Sequence, residues 1–189
     1  MTQQGKNAID LVLAESLIEL SAKKPIAKIT IKEITDKAGV IRPTFYNHFQ
    51  DKYELIEWII KTELLEPIKP LLNAGMIFEA IVLMLNNISA NSVFYKKALK
   101  LEGAVTFNQI AMKCVCEMFM NIISEKSTGK KSKYRWLTPE VISTYYAQSL
   151  CFITEGWIAQ GMDDIEPKEM AEAYMYLITR SMDDILSEL

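Results

Sequence analysis

A chain of 189 residues, half of them hydrophobic, carries enough apolar material for a sizeable core, in one large domain or in a small domain joined to a larger one. Only seven glycines and six prolines occur, while Leu, Ile, Ala, Met, Glu and Lys dominate, so an all-α fold is expected. The net charge of −3 excludes binding driven by a large overall basic excess, although residues 1–62 hold nine Lys/Arg against eight Asp/Glu and residues 63–189 hold twelve against sixteen. An N-terminal module that meets nucleic acid must therefore gather its cations on one face.

The opening MTQQGKNAID has neither the basic nor the apolar region of a secretory leader. The longest apolar run, Ala80 to Leu85, is far short of the ~20 residues that span a bilayer. Cys114, Cys116 and Cys151 are an odd number and lie in apolar helical patterns, as reduced thiols do. A cytoplasmic protein with no membrane partner is expected.

From Ile9, the residues Val12, Leu13, Leu17 and Leu20 recur at helical spacing and predict a first helix that ends before Pro25. Thr30 and Glu33 form a capping box, with Ile29 and Ile34 as its hydrophobic staple, so a second helix starts there. It runs to Gly39, which can take the left-handed conformation of a tight helix exit. After the turn Gly39-Val40-Ile41, Pro43 suits the first turn of a third helix. Phe45 and Phe49, four apart, point inward and leave Arg42, Pro43, Thr44, Tyr46, Asn47 and His48 for the outer and lateral faces. Asp51, three before Glu54, caps a fourth helix with Leu55, Trp58 and Ile59, which Pro67 and Pro70 are expected to end. That hinge divides the chain into residues 1–66 and 67–189. Further helices are expected near 75–89, 92–100, 104–125, 139–160 and 168–187, with breaks at 73–75, 126–136 and 161–166.

Two short helices around a glycine turn supply the geometry in which one helix enters a major groove and the other crosses behind it. Arg42 would reach guanine O6 and N7, and Thr44 or the Pro43 ring a thymine methyl. Thr30, Lys32, Tyr46, His48 and Lys52 are placed for phosphates, with Asn47 beside them. An ordinary helical hairpin with polar residues facing water gives the same pattern, so the pattern leaves both readings open.

The stretches Ile29-Thr30-Ile31-Lys32-Glu33-Ile34, Ala38-Gly39-Val40, Arg42 to Phe49 and Asp51-Lys52-Tyr53-Glu54-Leu55 resemble the N-terminal domain of the TetR family of one-component transcriptional regulators. Together with the first helix, the resemblance covers residues 8–62. It implies a helix-turn-helix DNA-binding domain followed by a larger helical effector-binding and dimerisation domain. It also implies that Lys32, Arg42, Pro43 and Thr44 face bases, while Thr30, Tyr46, His48 and Lys52 hold phosphates. Two departures stand out. Many members carry Ser-x-Gly-Thr where this chain has Ile41-Arg42-Pro43-Thr44, so no typical operator is implied, and Tyr53 replaces the commoner Glu. The run from His48 to Ile59 is also similar to the subgroup that regulates dihydroxyacetone kinase operons.

By that resemblance the C-terminal helices make a homodimer and enclose an effector site. Tyr145, Ser149, Phe152 and Gly156 step along one side of the helix over 139–160, and Met170, Tyr174, Leu177 and Met182 along the last, so these are the expected dimer residues. Phe94, Phe107, Met112, Cys116, Phe119 and Trp157 are the expected pocket, and their lack of charge points to a small apolar effector. Lys126, Lys130, Lys131, Lys133 and Arg135 cluster in a predicted loop, read as a solvated connection.

His48 is the only histidine, Cys114-x-Cys116 lacks further zinc ligands, and no phosphate-binding glycine loop occurs. An enzyme, a metal and a cofactor are therefore not expected. The expected protein is a repressor that binds a palindromic double-stranded DNA operator as a homodimer and is released by an effector. The rival is a coregulator of the same fold that acts through protein contacts, against which the presence of Arg42, Thr44, Tyr46, His48 and Lys52 argues.

Overall fold

The structure, a computed structural model, describes residues 3–126 and 132–188, and of residues 3–7 the backbone alone. The chain folds into helices α1 (Gln3–Lys23), α2 (Ile31–Ala38), α3 (Arg42–Tyr46), α4 (Lys52–Ile59), α5 (Glu66–Asn73), α6 (Ile77–Ala90), α7 (Ser92–Ala98), α8 (Phe107–Lys126), α9 (Pro139–Ala159), α10 (Pro167–Thr179) and α11 (Met182–Glu188). No strand occurs among the described residues, and no single helix there is long and apolar enough to cross a membrane.

Local chemistry sets the N-terminal elements. Glu33 N–H donates to Thr30 Oγ1 at 3.3 Å and Thr30 N–H to Glu33 Oε2 at 2.9 Å, closing the capping box that starts α2. Ile29 and Ile34 are both buried beside it. Gly39 ends α2 at φ 69°, with Val40 N–H reaching Thr35 O at 3.0 Å, which satisfies a carbonyl of the last turn. Phe45 and Phe49 are buried with ring centroids 5.8 Å apart, and Phe49 meets Trp58 at 6.3 Å, so α3 is pinned to α4 through aromatic faces. Asp51 Oδ1 accepts from Tyr53 N–H at 2.8 Å and Glu54 N–H at 2.9 Å, capping α4. Leu13 and Leu17 of α1 are fully buried, whereas Val12 is exposed.

The helix end expected at Pro67 and Pro70 is not found there. α4 passes through a π-helical turn, Ile60–Leu65, directly into α5, which contains both prolines. Pro67 has no N–H for the carbonyl of Glu63, four residues back, and Asn87 Nδ2 of α6 donates to that oxygen at 2.9 Å instead. Glu66 N–H bonds Lys61 O, five residues back, so the turn widens just where the prolines would crowd an α-helix. The division at 66/67 thus falls inside a continuous helix.

The C-terminal helices pack α8 against α9, α6 against α5 and α10, and α7 against α1 and α9, around a core continuous with that of the N-terminal helices. α8 begins where Thr106 and Gln109 cap each other, two or three residues later than expected. The single helix expected over 168–187 is two. Arg180 is extended, and Ser181 with Asp184 forms a new capping box for α11, Ser181 Oγ accepting from Asp184 N–H at 3.2 Å.

Candidate nucleic-acid interface

α2 and α3 meet at the Gly39 turn, and the first turn of α3 places Arg42 and Pro43 in solvent with Thr44 half-buried beside them. Lys32, on the first turn of α2, is exposed on the same hairpin. Among the described residues Lys32 and Arg42 have no acidic partner, whereas Lys24 is paired with Glu33 and Lys37 with Glu19. Glu33 is held near pKa 2 by Lys24 and by the Thr30 amide and hydroxyl, so it remains an anion and keeps Lys24 occupied. Lys28, exposed in the short 3-10 turn Ile26–Lys28, is likewise unpaired among the described residues. Sequence reading passes it over because it lies in no helix. Its signal is position, two residues before the Thr30 cap.

The residues expected at phosphates divide. Tyr46 and Asn47 are exposed beside α3. Thr30 Oγ1 instead donates to Glu33 Oε2 at 2.8 Å while capping α2. The Lys52 ammonium donates to the carbonyls of Ile26 at 3.0 Å, Ala27 at 2.7 Å and Ile29 at 3.0 Å. Three bonds exhaust a lysine's donors, so a phosphate contact would have to replace one of them. Burial, then the neighbouring charge of Lys24, lowers the Lys52 pKa. The His48 side chain is only 1% exposed, and its Nδ1 lies 2.6 Å from Asp10 Oδ1 on α1. Lys52 and His48 are therefore built as struts of the headpiece, tying the turn before α2 to α4 and the end of α3 to α1.

Behind the headpiece, a cavity of about 400 Å³ opens between α5, α6, α8, α9 and α10. Ile81, Met84, Met118, Phe119, Tyr146 and Tyr174 are among its walls, and no lining side chain is charged. Of the six residues expected to form a pocket, only Phe119 lines it. Phe94 packs on Tyr95 with centroids 5.1 Å apart, and Trp157 Nε1 donates to Ile165 O at 2.9 Å, so both are core. Phe107 borders a separate recess of about 40 Å³, and Met112 and Cys116 lie half-buried on α8 outside the cavity. Cys114 and Cys151 are poor nucleophiles, since burial pushes their thiols up to about 12.

A family model described as a transcriptional regulator C-terminal region matches residues 76–180, and one described as bacterial regulatory proteins, tetR family, matches residues 15–59. The chain belongs to the TetR family. Its members are transcriptional regulators rather than enzymes. A TetR-family relative, the HTH-type dhaKLM operon transcriptional activator DhaS of Lactococcus lactis subsp. lactis (strain IL1403), is 26% identical over 152 residues, 79% of each chain. The solved structure of a dihydroxyacetone kinase operon activator DhaS shares the fold with a TM-score of 0.63 at 21% identity, covering 90% of this chain and 93% of that one. NalD, secondary repressor of the MexAB-OprM multidrug efflux pump in Pseudomonas aeruginosa, gives 0.59 at 12% identity, with coverage of 92% and 96%.

The TetR-like C-terminal helices leave an apolar face in solvent. Phe152 is 76% and Tyr145 66% exposed on α9, and Leu177 and Met182 are exposed on α10 and α11. Phe152, Gly156 and Met170 border one shallow groove. Ser149 is half-buried, and Tyr174, expected at the dimer face, is buried inside the protomer as a wall of the cavity. In the basic cluster, Lys126 Nζ donates to Leu72 O at 2.8 Å and closes the end of α5, while Lys133 stands 5.5 Å from the Tyr134 ring centre. Lys130 and Lys131 lie outside the described residues.

Proposed function

We propose that this TetR-family regulator is a repressor that binds a palindromic operator as a homodimer and leaves it when a small uncharged, largely apolar effector fills the cavity. Residues 1–66 read DNA and residues 67–189 carry the effector and dimer functions. The observation that carries the proposal is Arg42, without an acidic partner among the described residues and flanked by exposed Pro43 on the first turn of α3. An arginine so placed matches the guanine edge, the commonest specific contact in the major groove. Lys32 and Thr44 complete the base-facing set; Tyr46, Asn47 and Lys28 supply phosphate contacts around it.

One five-residue helix contacts too little DNA to be selective, and a two-fold pair reads half-sites roughly 34–36 Å apart. The exposed face of Tyr145, Phe152 and Leu177 supports that pairing. Gly156 supports it too, since a Cβ added there would meet nothing within 4 Å in the protomer. Glycine in a helix costs about 0.5–1 kcal/mol relative to alanine, which a close-packed partner helix would offset. A 400 Å³ uncharged cavity is of the size that accepts a small organic ligand.

The test is footprinting on the DNA upstream of the gene, joined to the mass of the bound species. A two-fold symmetric footprint held by a dimer supports the proposal, and an asymmetric one or none rejects it. Similarity to DhaS, an activator by name, favours a second reading in which the bound dimer activates. A reporter in a deletion strain separates the two, since expression rises on loss of a repressor and falls on loss of an activator.

A further inference from the structure

Ile41 is 69% exposed and occupies the N-cap of α3, immediately before Arg42. An N-cap favours Ser, Thr, Asp or Asn, whose oxygen pairs with a free amide of the first turn. The other two helices of the hairpin region obey this, α2 through Thr30 and α4 through Asp51, while α3 has no side-chain cap bond. A lone exposed isoleucine is common on protein surfaces. What distinguishes Ile41 is that a β-branched apolar side chain takes the one capping position that adjoins the reader, at a cost in helix stability. Local rules broken in this way concentrate at functional positions.

Pro43 is exposed on the other side of Arg42, so the cation sits between two apolar groups that face solvent. The major-groove edge of a base pair offers one apolar group, the C5-methyl of thymine. We propose that Ile41 is a specificity-determining residue, packing on a thymine methyl in the operator next to the base pair that Arg42 reads. The proposal rests on operator reading by α3.

The test starts from sequences that the full-length protein selects from random DNA. Each thymine of the selected site is then replaced in turn by deoxyuridine, which removes the methyl and nothing else. For the unaltered protein, replacement of the thymine adjacent to the Arg42-dependent guanine should weaken binding about fourfold, the ratio expected for one methyl-sized group. For Ile41→Ser and Ile41→Ala, thymine and uracil at that position should bind alike. Ile41→Ser installs a favoured cap, so circular dichroism should show an intact headpiece, and a changed thymine preference cannot then be ascribed to unfolding. If no uracil replacement affects the unaltered protein, or if Ile41→Ser retains its thymine preference, the proposal is overturned. Failure to select any sequence overturns operator reading as well, so the two failures are distinguishable.

Discussion

Asp10 of α1 and His48 at the end of α3 meet at 2.6 Å between Oδ1 and Nδ1, with the imidazole almost wholly out of solvent. The two residues are 38 apart in sequence, so the contact fixes how the reading helix sits on the first helix rather than shaping either one. Removing one partner of such a pair leaves a buried polar group unsatisfied, at about 1–3 kcal/mol. Asp10→Ala should therefore lower headpiece stability by that amount in urea unfolding, and should weaken DNA of every sequence alike. An unchanged midpoint would mean the contact is incidental.

Much of the fold was legible because it is local. Thr30 and Glu33, Gly39, and the Phe45/Phe49 pair announce their roles within a few residues, and each is found in that role. What sequence could not supply depends on distant partners. Lys52 faces carbonyls 23 to 26 residues earlier, and the proline-bearing helix continues because Asn87 lies 24 residues beyond Glu63. The cavity was misplaced for the same reason. α8 shows apolar residues on several faces, and which face lines a void is decided by the positions of α6 and α10. Ser181 and Asp184 are different, since their capping box was written in the sequence and a continuous apolar periodicity concealed it.

Arg42, Lys28 and Lys52 should respond differently to alanine substitution. Arg42→Ala should cost about 1–3 kcal/mol on the best operator and relax base preference, while Lys28→Ala should weaken all sequences alike and reduce the salt slope by about one. Lys52→Ala leaves the carbonyls of Ile26, Ala27 and Ile29 without their shared donor. Its main effect should be a lower unfolding midpoint. Titrations at several salt concentrations, run beside thermal melts, separate the three.

Asn87→Leu keeps the branched shape and heavy-atom count of asparagine and removes the amide that serves the Glu63 carbonyl. With Pro67 unable to replace it, a part-buried acceptor is left open, costing about 1–3 kcal/mol. Unfolding should show this loss, whereas Asn86→Leu, on the exposed side of α6, should show little. Equal midpoints for the two variants would mean that the π-helical turn needs no support from α6.

Glu63 itself titrates high, chiefly because burial disfavours its charge and secondarily because Glu15 lies near. The buried Tyr95 hydroxyl, which has no hydrogen-bond partner among the described residues, is raised by burial and then by the charge of Glu63. A carboxyl whose folded pKa exceeds its unfolded value favours the fold when protonated. That contribution is present below the ordinary carboxylate pKa and is lost as pH rises through the raised value. Glu63→Gln should accordingly melt higher than the unaltered chain at neutral pH, and the gap should shrink on acidification. A gap that widens in acid would show that the carboxylate, rather than the acid, is the stabilising form.

Filling the cavity tests the effector site without requiring the effector's identity. Ile81 is buried on α6 and lines the void, opposite walls that include Phe119 and Tyr174. Ile81→Trp places a larger apolar side chain into a space of about 400 Å³, so the overpacking penalty of a full core, typically about 1–3 kcal/mol, should be largely avoided. The variant should fold with a melting midpoint close to that of the unaltered chain. It should also bind operator with unchanged base preference while losing most of the derepression that inducing extracts or compound libraries produce. Retained induction in a well-folded Ile81→Trp protein would place the effector elsewhere.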